Sequence, residues 1–302
     1  MGDRNNSDKE ETMKEFKDKV AVITGTASGI GRALAERSVR EGMKVVLAGI
    51  NEANLIKAEG ELKASGGAVV SVRTDVAKRS DMELLARKTL DTFGAVHLLV
   101  NNAGVSMRVS SWEATWNDWE WVIGVNLWGV IHGIKVFTPL MLSQNTECYI
   151  VNTASFAGLM AGYPGAPYAV TKHAVVALSE CLYLELEQRK AAVKVSVLCP
   201  GNVKTNIGNA ERNRPSGLRD EPVELSPEAQ AFGDFMKAFI EAGMSPVQVA
   251  DQVFDAIKEE RFYILTHPEF TPAIKMRMAS LLSGENPQNA AAAMMKLIKL
   301  NR

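Results

Sequence analysis

Seven short runs of this sequence are apolar at almost every position instead of at alternate positions. A strand with apolar residues on both faces needs cover on both, which is the condition of a parallel sheet between two layers of helices. Helix-like stretches near residues 30–41, 52–65, 79–93, 117–142 and 167–189 separate most of the runs. The alternation predicts an α/β fold with a doubly wound, seven-stranded parallel sheet and helices on both faces. The predicted strands are Val20–Thr24, Val45–Ala48, Val69–Thr74, His97–Asn101, Tyr149–Ala154, Val195–Cys199 and Phe262–Leu265.

The strand–helix pattern continues through most of the 302 residues, although this length could also hold two domains of average size. We therefore expect one large domain at 18–267, between a polar N-terminal tail at 1–17 and a helical C-terminal extension at 268–302. Residues 202–226 interrupt the pattern with prolines among many charges, and a helix is predicted after them at about 227–242. A long aperiodic connection in a compact domain is typical of a lid over a binding site, and we call residues 202–245 the lid.

Composition excludes several classes of protein. Lys and Arg total 34 and Asp and Glu total 35, so a net charge of −1 gives no basic footprint for nucleic acid. Three cysteines without a CxxC pair form no disulfide framework, which favours an intracellular protein. We find no run of 18 uninterrupted apolar residues and no early apolar run, so we expect a cytoplasmic protein with no membrane span or secretory signal. The histidines lack HxxxH spacing, and we expect no catalytic metal.

A glycine-rich turn follows the first predicted strand directly and precedes a helical pattern. It reads Thr-Gly-Thr-Ala-Ser-Gly-Ile-Gly from Thr24 to Gly31. Glycines permit a tight turn there and let backbone N–H groups approach a pyrophosphate at the helix N-terminus. The spacing Gly-x3-Gly-x-Gly differs from the G-x-G-x-x-G of the standard dinucleotide fingerprint. The predicted phosphate-binding residues are Gly25, Ser28, Gly29, Ile30 and Gly31.

This turn resembles the TGxxxGIG turn of the short-chain dehydrogenase/reductase family. Further segments follow in the family's order: Asn101–Gly104 after the fourth strand, Ser155 after the fifth, and Tyr168-Ala-Val-Thr-Lys172. Pro200-Gly201 ends the sixth strand as in the family, so the resemblance covers about residues 18–265. It implies a Rossmann-type fold and an NAD(P)-dependent alcohol dehydrogenase or carbonyl reductase that assembles as a homodimer or homotetramer.

Four residues form the predicted catalytic set. Tyr168 and Lys172 lie four residues apart and therefore share one face of a helix, where the ammonium group can lower the pKa of the phenol. A phenol tuned in this way can exchange a proton with a carbonyl or alcohol oxygen. By resemblance, Ser155 hydrogen-bonds the substrate oxygen, and Asn126 holds a water in a proton relay linked to Lys172.

Cofactor residues are carried over from the family. By resemblance, Asp75 and Val76 contact the adenine, and Lys172 contacts the hydroxyls of the nicotinamide ribose. Thr205 resembles the threonine that hydrogen-bonds the carboxamide. Gly49 stands where NAD-preferring folds place an acidic residue about 20 positions after the glycine turn. Its lack of charge favours NADP(H), but no arginine follows at Ile50 or Asn51, so NAD(H) stays open. The other cofactor residues implied by the resemblance are Asn102, Ala103, Gly104, Tyr168, Pro200, Gly201 and Val203.

The predicted substrate wall is apolar, and its methionines can adapt to shape. We expect a bulky hydrophobic or aromatic ketone or secondary alcohol as the small-molecule partner, with no nucleic acid or membrane. Two other functions stay open on the same fold: a nucleotide-sensing binding protein and an epimerase or hydratase. The residues predicted to line the substrate pocket, together with the lid, are Met107, Phe156, Leu159, Met160 and Tyr163.

Overall fold

The computed structural model describes residues 13, 15–160, 162, 165–221 and 227–289. The strands are β1 Val20–Thr24, β2 Lys44–Gly49, β3 Val69–Arg73, β4 Leu98–Asn101, β5 Cys148–Thr153, β6 Val193–Cys199 and β7 Tyr263–Leu265. They form one seven-stranded parallel sheet in the order β3-β2-β1-β4-β5-β6-β7. This confirms the predicted doubly wound α/β fold with its parallel sheet.

Two helical layers cover the sheet, because successive side chains of each strand point to opposite faces. The helices are α1 Gly29–Arg40, α2 Glu52–Ala64, α3 Arg79–Phe93, α4 Trp116–Ile123, α5 Gly129–Ser143, α6 Ala166–Gln188, α7 Pro227–Glu241, α8 Pro246–Lys258 and α9 Thr271–Ser283. In β1, Ala21 and Ile23 pack with α1, α2 and α8, whereas Val22 packs with α3, α5 and α6. Both faces are therefore dry, as the continuous apolar runs predict.

The strand order reverses between β1 and β4, which are neighbours although a long stretch of chain separates them. All seven strands are parallel, so their carboxyl ends meet at one edge of the sheet. In open α/β sheets a crevice forms at this edge where the strand order reverses, and ligands bind there. The glycine turn after β1 and the Asn102–Gly104 segment after β4 are therefore brought together by topology.

A π-helical turn, Gly124–Trp128, joins α4 to α5 into one continuous helical segment. The sequence predicts a single helix at 117–142, and the extra residue of the π-turn changes its register. By length and composition alone, the segment Trp116–Ser143 is also apolar enough to cross a membrane. It holds no run of 18 uninterrupted apolar residues, so the criterion applied to the sequence does not find it. The core helix of a globular protein also passes the test of length and composition. Here Gly133 of α5 packs so closely on Asn101 of β4 that a Cβ would lie 2.0 Å from the Asn101 Oδ1.

The described part of the N-terminal tail is docked on the sheet. Phe16 is 2% exposed and its ring packs against Phe254 of α8, with the ring centres 4.8 Å apart. In the C-terminal extension, predicted to be helical at 268–302, the described part contains α9, and residues 290–302 lie outside the described residues. The domain boundaries stay predictions.

A buried ion pair fastens the lid to α4. Arg214 of the lid donates a 2.6 Å hydrogen bond to Asp118, and both side chains are less than a tenth exposed. The guanidinium also stacks on Trp121, 5.0 Å from its ring centre. Asp220 accepts hydrogen bonds from Thr115 and Asn117 at the start of α4. The lid is thereby held over the carboxyl edge of the sheet.

Candidate active site

One large cavity of about 1310 Å³ opens along the carboxyl edge of the sheet. The loops that follow β1 to β6, the lid and the start of the C-terminal extension form its walls. Ligand pockets commonly measure roughly 300–1,000 Å³, so this cavity exceeds what one ordinary small molecule needs. The predicted cofactor residues that line it are Gly25, Ser28, Gly29, Ile30, Gly49, Asp75, Val76, Asn102, Ala103, Gly104, Tyr168, Lys172, Pro200, Gly201, Val203 and Thr205.

The glycine turn leaves room for an anion at the start of α1. Gly25 and Gly29 have positive φ angles of 73° and 61°, which disfavour any side chain. Ser28 caps α1 without a side-chain hydrogen bond, so the first N–H groups of the helix stay available to a phosphate. Gly31 is absent from the cavity wall, and a Cβ there would lie 2.3 Å from the Gly25 carbonyl oxygen. Gly31 therefore lets α1 pack closely against the glycine turn.

Thr24 ties the glycine turn to the loop after β4. Its hydroxyl oxygen accepts hydrogen bonds from the backbone N–H groups of Asn102 and Ala103, both at 2.9 Å, and donates to the Val100 carbonyl at 3.3 Å. The Asn102 amide donates in return to the Thr24 carbonyl at 2.9 Å. Sequence reasoning missed Thr24, whose position as the last residue of a strand carries no signal of its own.

Tyr168 and Lys172 lie one turn apart on α6, and both line the cavity together with Ser155. Lys172 is 3% exposed and donates a 2.9 Å hydrogen bond to the Thr153 carbonyl at the end of β5. Its Nζ lies 5.6 Å from the centre of the Tyr168 ring. Ser155 begins the short helical turn that follows β5, and its hydroxyl oxygen accepts a hydrogen bond from the Ala157 N–H at 3.1 Å.

Asn126 lies in the π-turn and is fully buried. Its Oδ1 accepts from the Val105 N–H at 2.8 Å, while its Nδ2 donates to the Val105 carbonyl at 2.9 Å and to the Thr171 hydroxyl at 3.2 Å. The side chain therefore joins the loop after β4 to α6. It does not line the cavity. Its predicted role as a water-binding group in a proton relay stays a prediction.

The apolar wall differs in part from the predicted one. Phe156 and Met160 line the cavity, but Met107 packs beside Trp121 and Leu159 packs against the apolar cluster of α6 and β6, because loop side chains need not point to the same side. Tyr163 lies outside the described residues. Other apolar residues line the cavity instead, mostly from the lid: Ile207, Ala210, Leu218, Met236, Phe239, Ile240 and Phe270.

A family model described as short chain dehydrogenase matches residues 19–216 of this sequence. The chain belongs to the short-chain dehydrogenase/reductase family. This chain is 36% identical over 279 residues to the CLA biosynthesis dehydrogenase/reductase of Lactiplantibacillus plantarum, and the match covers 91% of this chain and 97% of the relative. It is 31% identical to the C alpha-dehydrogenase of Sphingobium sp., over 92% of this chain and 90% of that one.

Among solved structures, a short-chain dehydrogenase/reductase from Burkholderia phymatum in complex with NAD is similar to this chain, with a TM-score of 0.89. The two are 45% identical, and the match covers 91% of this chain and 98% of the other. The protein is thus an oxidoreductase of this family, and the similarity to an NAD complex supports a nicotinamide cofactor. Within the part of the chain that the structure describes, no group of three or more His, Cys, Asp or Glu side chains is placed to hold a metal ion.

Burial dominates the electrostatics of the dehydrogenase/reductase site. It raises the pKa of the Tyr168 phenol, whereas a hydrogen bond from Ser155 and the positive charge of Arg108 lower that pKa. The predicted effect of the Lys172 ammonium group on the pKa of Tyr168 stays a prediction. Burial lowers the pKa of Lys172 to about 8. Arg108 is a site residue that sequence reasoning missed.

The lowered pKa of Lys172 predicts a dependence of stability on pH. Between about 8 and the ordinary value of 10.5, the unfolded chain holds a proton that the folded protein has released, so the free energy of unfolding rises with pH in this window. As the pH rises through this window, we expect the free energy of unfolding of the wild type to increase by on the order of 3 kcal/mol relative to that of Lys172→Met. Urea unfolding of both proteins across the window measures this difference. A difference that stays constant with pH would mean that Lys172 is not desolvated.

Proposed function

We propose that this protein transfers a hydride between a nicotinamide cofactor and a bulky hydrophobic or aromatic ketone or secondary alcohol, with Tyr168 as general acid and base. The observation that carries the proposal is one continuous cavity that joins the glycine turn to Tyr168, Ser155 and an apolar wall. A dinucleotide bound with its phosphates at the start of α1 would extend along this cavity toward Tyr168.

The residues present fit such a cofactor. The first turn of α1 offers uncapped N–H groups, and the nearby walls hold Gly25 and Gly29, which leave no side chain in the way of the backbone. Asp75 and Val76 line the part of the cavity after β3, and Lys172 lines the part beside Tyr168. When bound, the nicotinamide ring supplies or accepts the hydride at the carbon of the substrate.

The side chains of this protein supply the proton and the polarisation. In the direction of reduction, the Tyr168 phenol donates its proton to the carbonyl oxygen, and the Ser155 hydroxyl donates a hydrogen bond to the same oxygen as negative charge develops there. In the direction of oxidation, the phenolate of Tyr168 accepts the proton of the alcohol. Ser155 and Arg108 favour that phenolate, since both lower the pKa of the phenol against the effect of burial.

The proposed substrate class rests on the wall around Tyr168. Phe156 from the loop after β5 meets Phe270 of the extension edge to face, with ring centres 5.1 Å apart, and Met160 packs in the same cluster. The lid adds further apolar side chains such as Ile240 and Leu218. A large apolar wall gains most from burying an equally large apolar substrate.

Replacing Tyr168 by Phe tests the mechanism. The substitution removes the proton donor and keeps the ring, so we expect kcat for ketone reduction to fall by roughly 10²–10⁴-fold, while the cofactor binds as before. A panel of aryl and alkyl ketones, with NADH and NADPH in parallel, measures kcat, and fluorescence titration measures cofactor affinity. Tyr263→Phe is the matched control, because Tyr263 is 45% exposed and bonds Glu180 outside the cavity. Unchanged turnover in Tyr168→Phe would contradict the mechanism.

We propose NADP(H) as the preferred cofactor. The wall after β2 has no carboxylate at Gly49 to repel a 2′-phosphate, and the exposed Lys57 lines the same region. Arg32 also lines the cavity, but its guanidinium is bound to the carboxylates of Glu36 and Glu61 at 2.7 and 2.8 Å. The lysine therefore supplies the positive charge for the phosphate.

Gly49→Asp should reverse this preference. A Cβ at Gly49 meets only the Leu55 side chain, at 3.5 Å or more, so the pocket accommodates the substitution. The added charge would repel the 2′-phosphate and bind the ribose hydroxyls of NAD(H), and we expect the ratio of kcat/KM for NADPH over NADH to fall at least about 10-fold. Gly60→Asp is the control, since it adds the same charge to α2 in open space. A wild type that prefers NADH would contradict the cofactor proposal; an unchanged ratio in Gly49→Asp would contradict the role of Gly49.

We also propose a cytoplasmic protein that assembles as a homodimer or homotetramer and acts on a small molecule. Large apolar side chains on the outer surface support the assembly, because exposed apolar groups on packed helices are typical of interfaces. Val170 and Leu184, both on α6 and outside the cavity wall, are 52% and 66% exposed. Sedimentation velocity should give a dimer or a tetramer, and a monomer at micromolar concentration would contradict the proposal.

A further inference from the structure

Arg108 lies on the loop that follows β4, partly buried, and it lines the cavity with Tyr168 and Ser155. Its charge is near enough to the Tyr168 phenol to lower the pKa of that group. The loops after β4, β5 and β6 form this half of the cavity, whereas the glycine turn and the loops after β2 and β3 form the other half. Arg108 therefore faces the space where the proposed substrate would bind.

Arg108 differs from the other arginines on the described cavity wall, Arg32 and Arg212, in having no hydrogen-bond or ion-pair partner among the described residues. In the described parts of the chain, no ion pair and no hydrogen bond joins its guanidinium to another residue, whereas Lys172 donates to the Thr153 carbonyl and Arg212 donates to lid carbonyls. Burial lowers the pKa of Arg108, which is the mark of a cation that loses water without gaining a counter-ion. A partly buried charge of this kind gains free energy when an anion binds.

Among the described residues, no carboxylate forms an ion pair with Arg108. Of the carboxylates on the described wall, Glu36 and Glu61 hold Arg32, and Asp75 follows β3 in the other half of the cavity. Glu120 also lines the cavity but is exposed on α4. The side chains that line the substrate half beside Arg108 are mainly apolar, among them Phe156, Met160, Leu218 and Phe239.

We propose that Arg108 binds a carboxylate of the substrate, so that the substrate is an apolar oxo acid or hydroxy acid. The inference rests on the proposed function and narrows its substrate class. A guanidinium presents two parallel N–H donors that match a carboxylate, and its single charge balances that of one carboxylate. The phosphates of a dinucleotide would bind at the start of α1, in the other half of the cavity, and leave Arg108 to the substrate.

The test compares acids with their esters. The substrates are phenyl ketones with a short, a medium or a long alkyl chain that ends in a carboxylate, each assayed beside its methyl ester. For the wild type we expect a higher kcat/KM for the acid than for the ester at one chain length. In Arg108→Met, which keeps the bulk and removes the charge, kcat/KM for that acid should fall roughly 10–100-fold further than kcat/KM for the ester, which loses only what Arg108 contributes through the Tyr168 phenol. Arg108→Lys should restore part of the loss, since it keeps the charge without the two parallel donors.

Arg212→Met is the matched control, because it removes a second arginine from the cavity wall whose guanidinium already bonds the lid carbonyls. Its ratio of acid to ester activity should equal that of the wild type. Calorimetry with an aryl alkanoate and its primary amide, in the presence of cofactor, should show that Arg108→Met weakens binding of the carboxylate alone.

Two results would overturn the proposal: an equal fall for acid and ester, which would mean that Arg108 acts through the Tyr168 phenol, or no change for either. If the wild type reduces neither acids nor esters with NADH or NADPH, the proposed function itself fails. The calorimetry would still show whether Arg108 binds a carboxylate.

Discussion

The contact between the glycine turn and the loop after β4 is the interaction on which the rest of the site depends. β1 and β4 are neighbours in the sheet, and the hydroxyl of Thr24, the last residue of β1, makes three hydrogen bonds to the backbone of β4 and of the loop after it. This contact joins the turn at the N-terminus of α1 to the loop that begins the Tyr168 side of the cavity. Gly31 makes it possible, because any side chain there would strike the Gly25 carbonyl. The turn is therefore built as much for packing as for phosphate binding.

A second constraint is the free-energy cost of burying two cations, Lys172 beside the end of β5 and Arg108 on the loop after β4. Lys172 is almost fully buried, and one carbonyl hydrogen bond to Thr153 only partly compensates it, so the pKa of its ammonium group falls. Arg108 lies nearer to water but has no partner at all in the described chain. These two cations lie around a phenol whose own pKa burial raises. Burial in an apolar wall thus sets the proton affinity of all three groups, and a bound anion or cofactor would change it.

The sequence was sufficient for the fold because both faces of the central strands are buried, and continuous apolar runs such as those of β1 and β5 are typical of strands between two helical layers. It was also sufficient to place Ser155 and Gly49 on the cavity wall, since a strand end fixes the backbone position of each; their roles stay predictions. It could not give the direction of loop side chains. Met107 and Arg108 are adjacent, yet the first packs beside Trp121 and the second lines the cavity. That choice depends on the packing of α4, which no local pattern records.

The π-turn is another feature that the sequence pattern could not predict, and it also connects two parts of the site. A regular helical pattern predicts no extra residue between Gly124 and Trp128, but the turn places the Asn126 amide on both polar groups of Val105. α4, which leads into the turn, carries Asp118, and Asp118 holds the lid through Arg214. One continuous helical segment therefore anchors the lid at its beginning and the loop that carries Arg108 at its π-turn. A substrate that contacts both the lid and Arg108 would be held by two loops with a common rigid support.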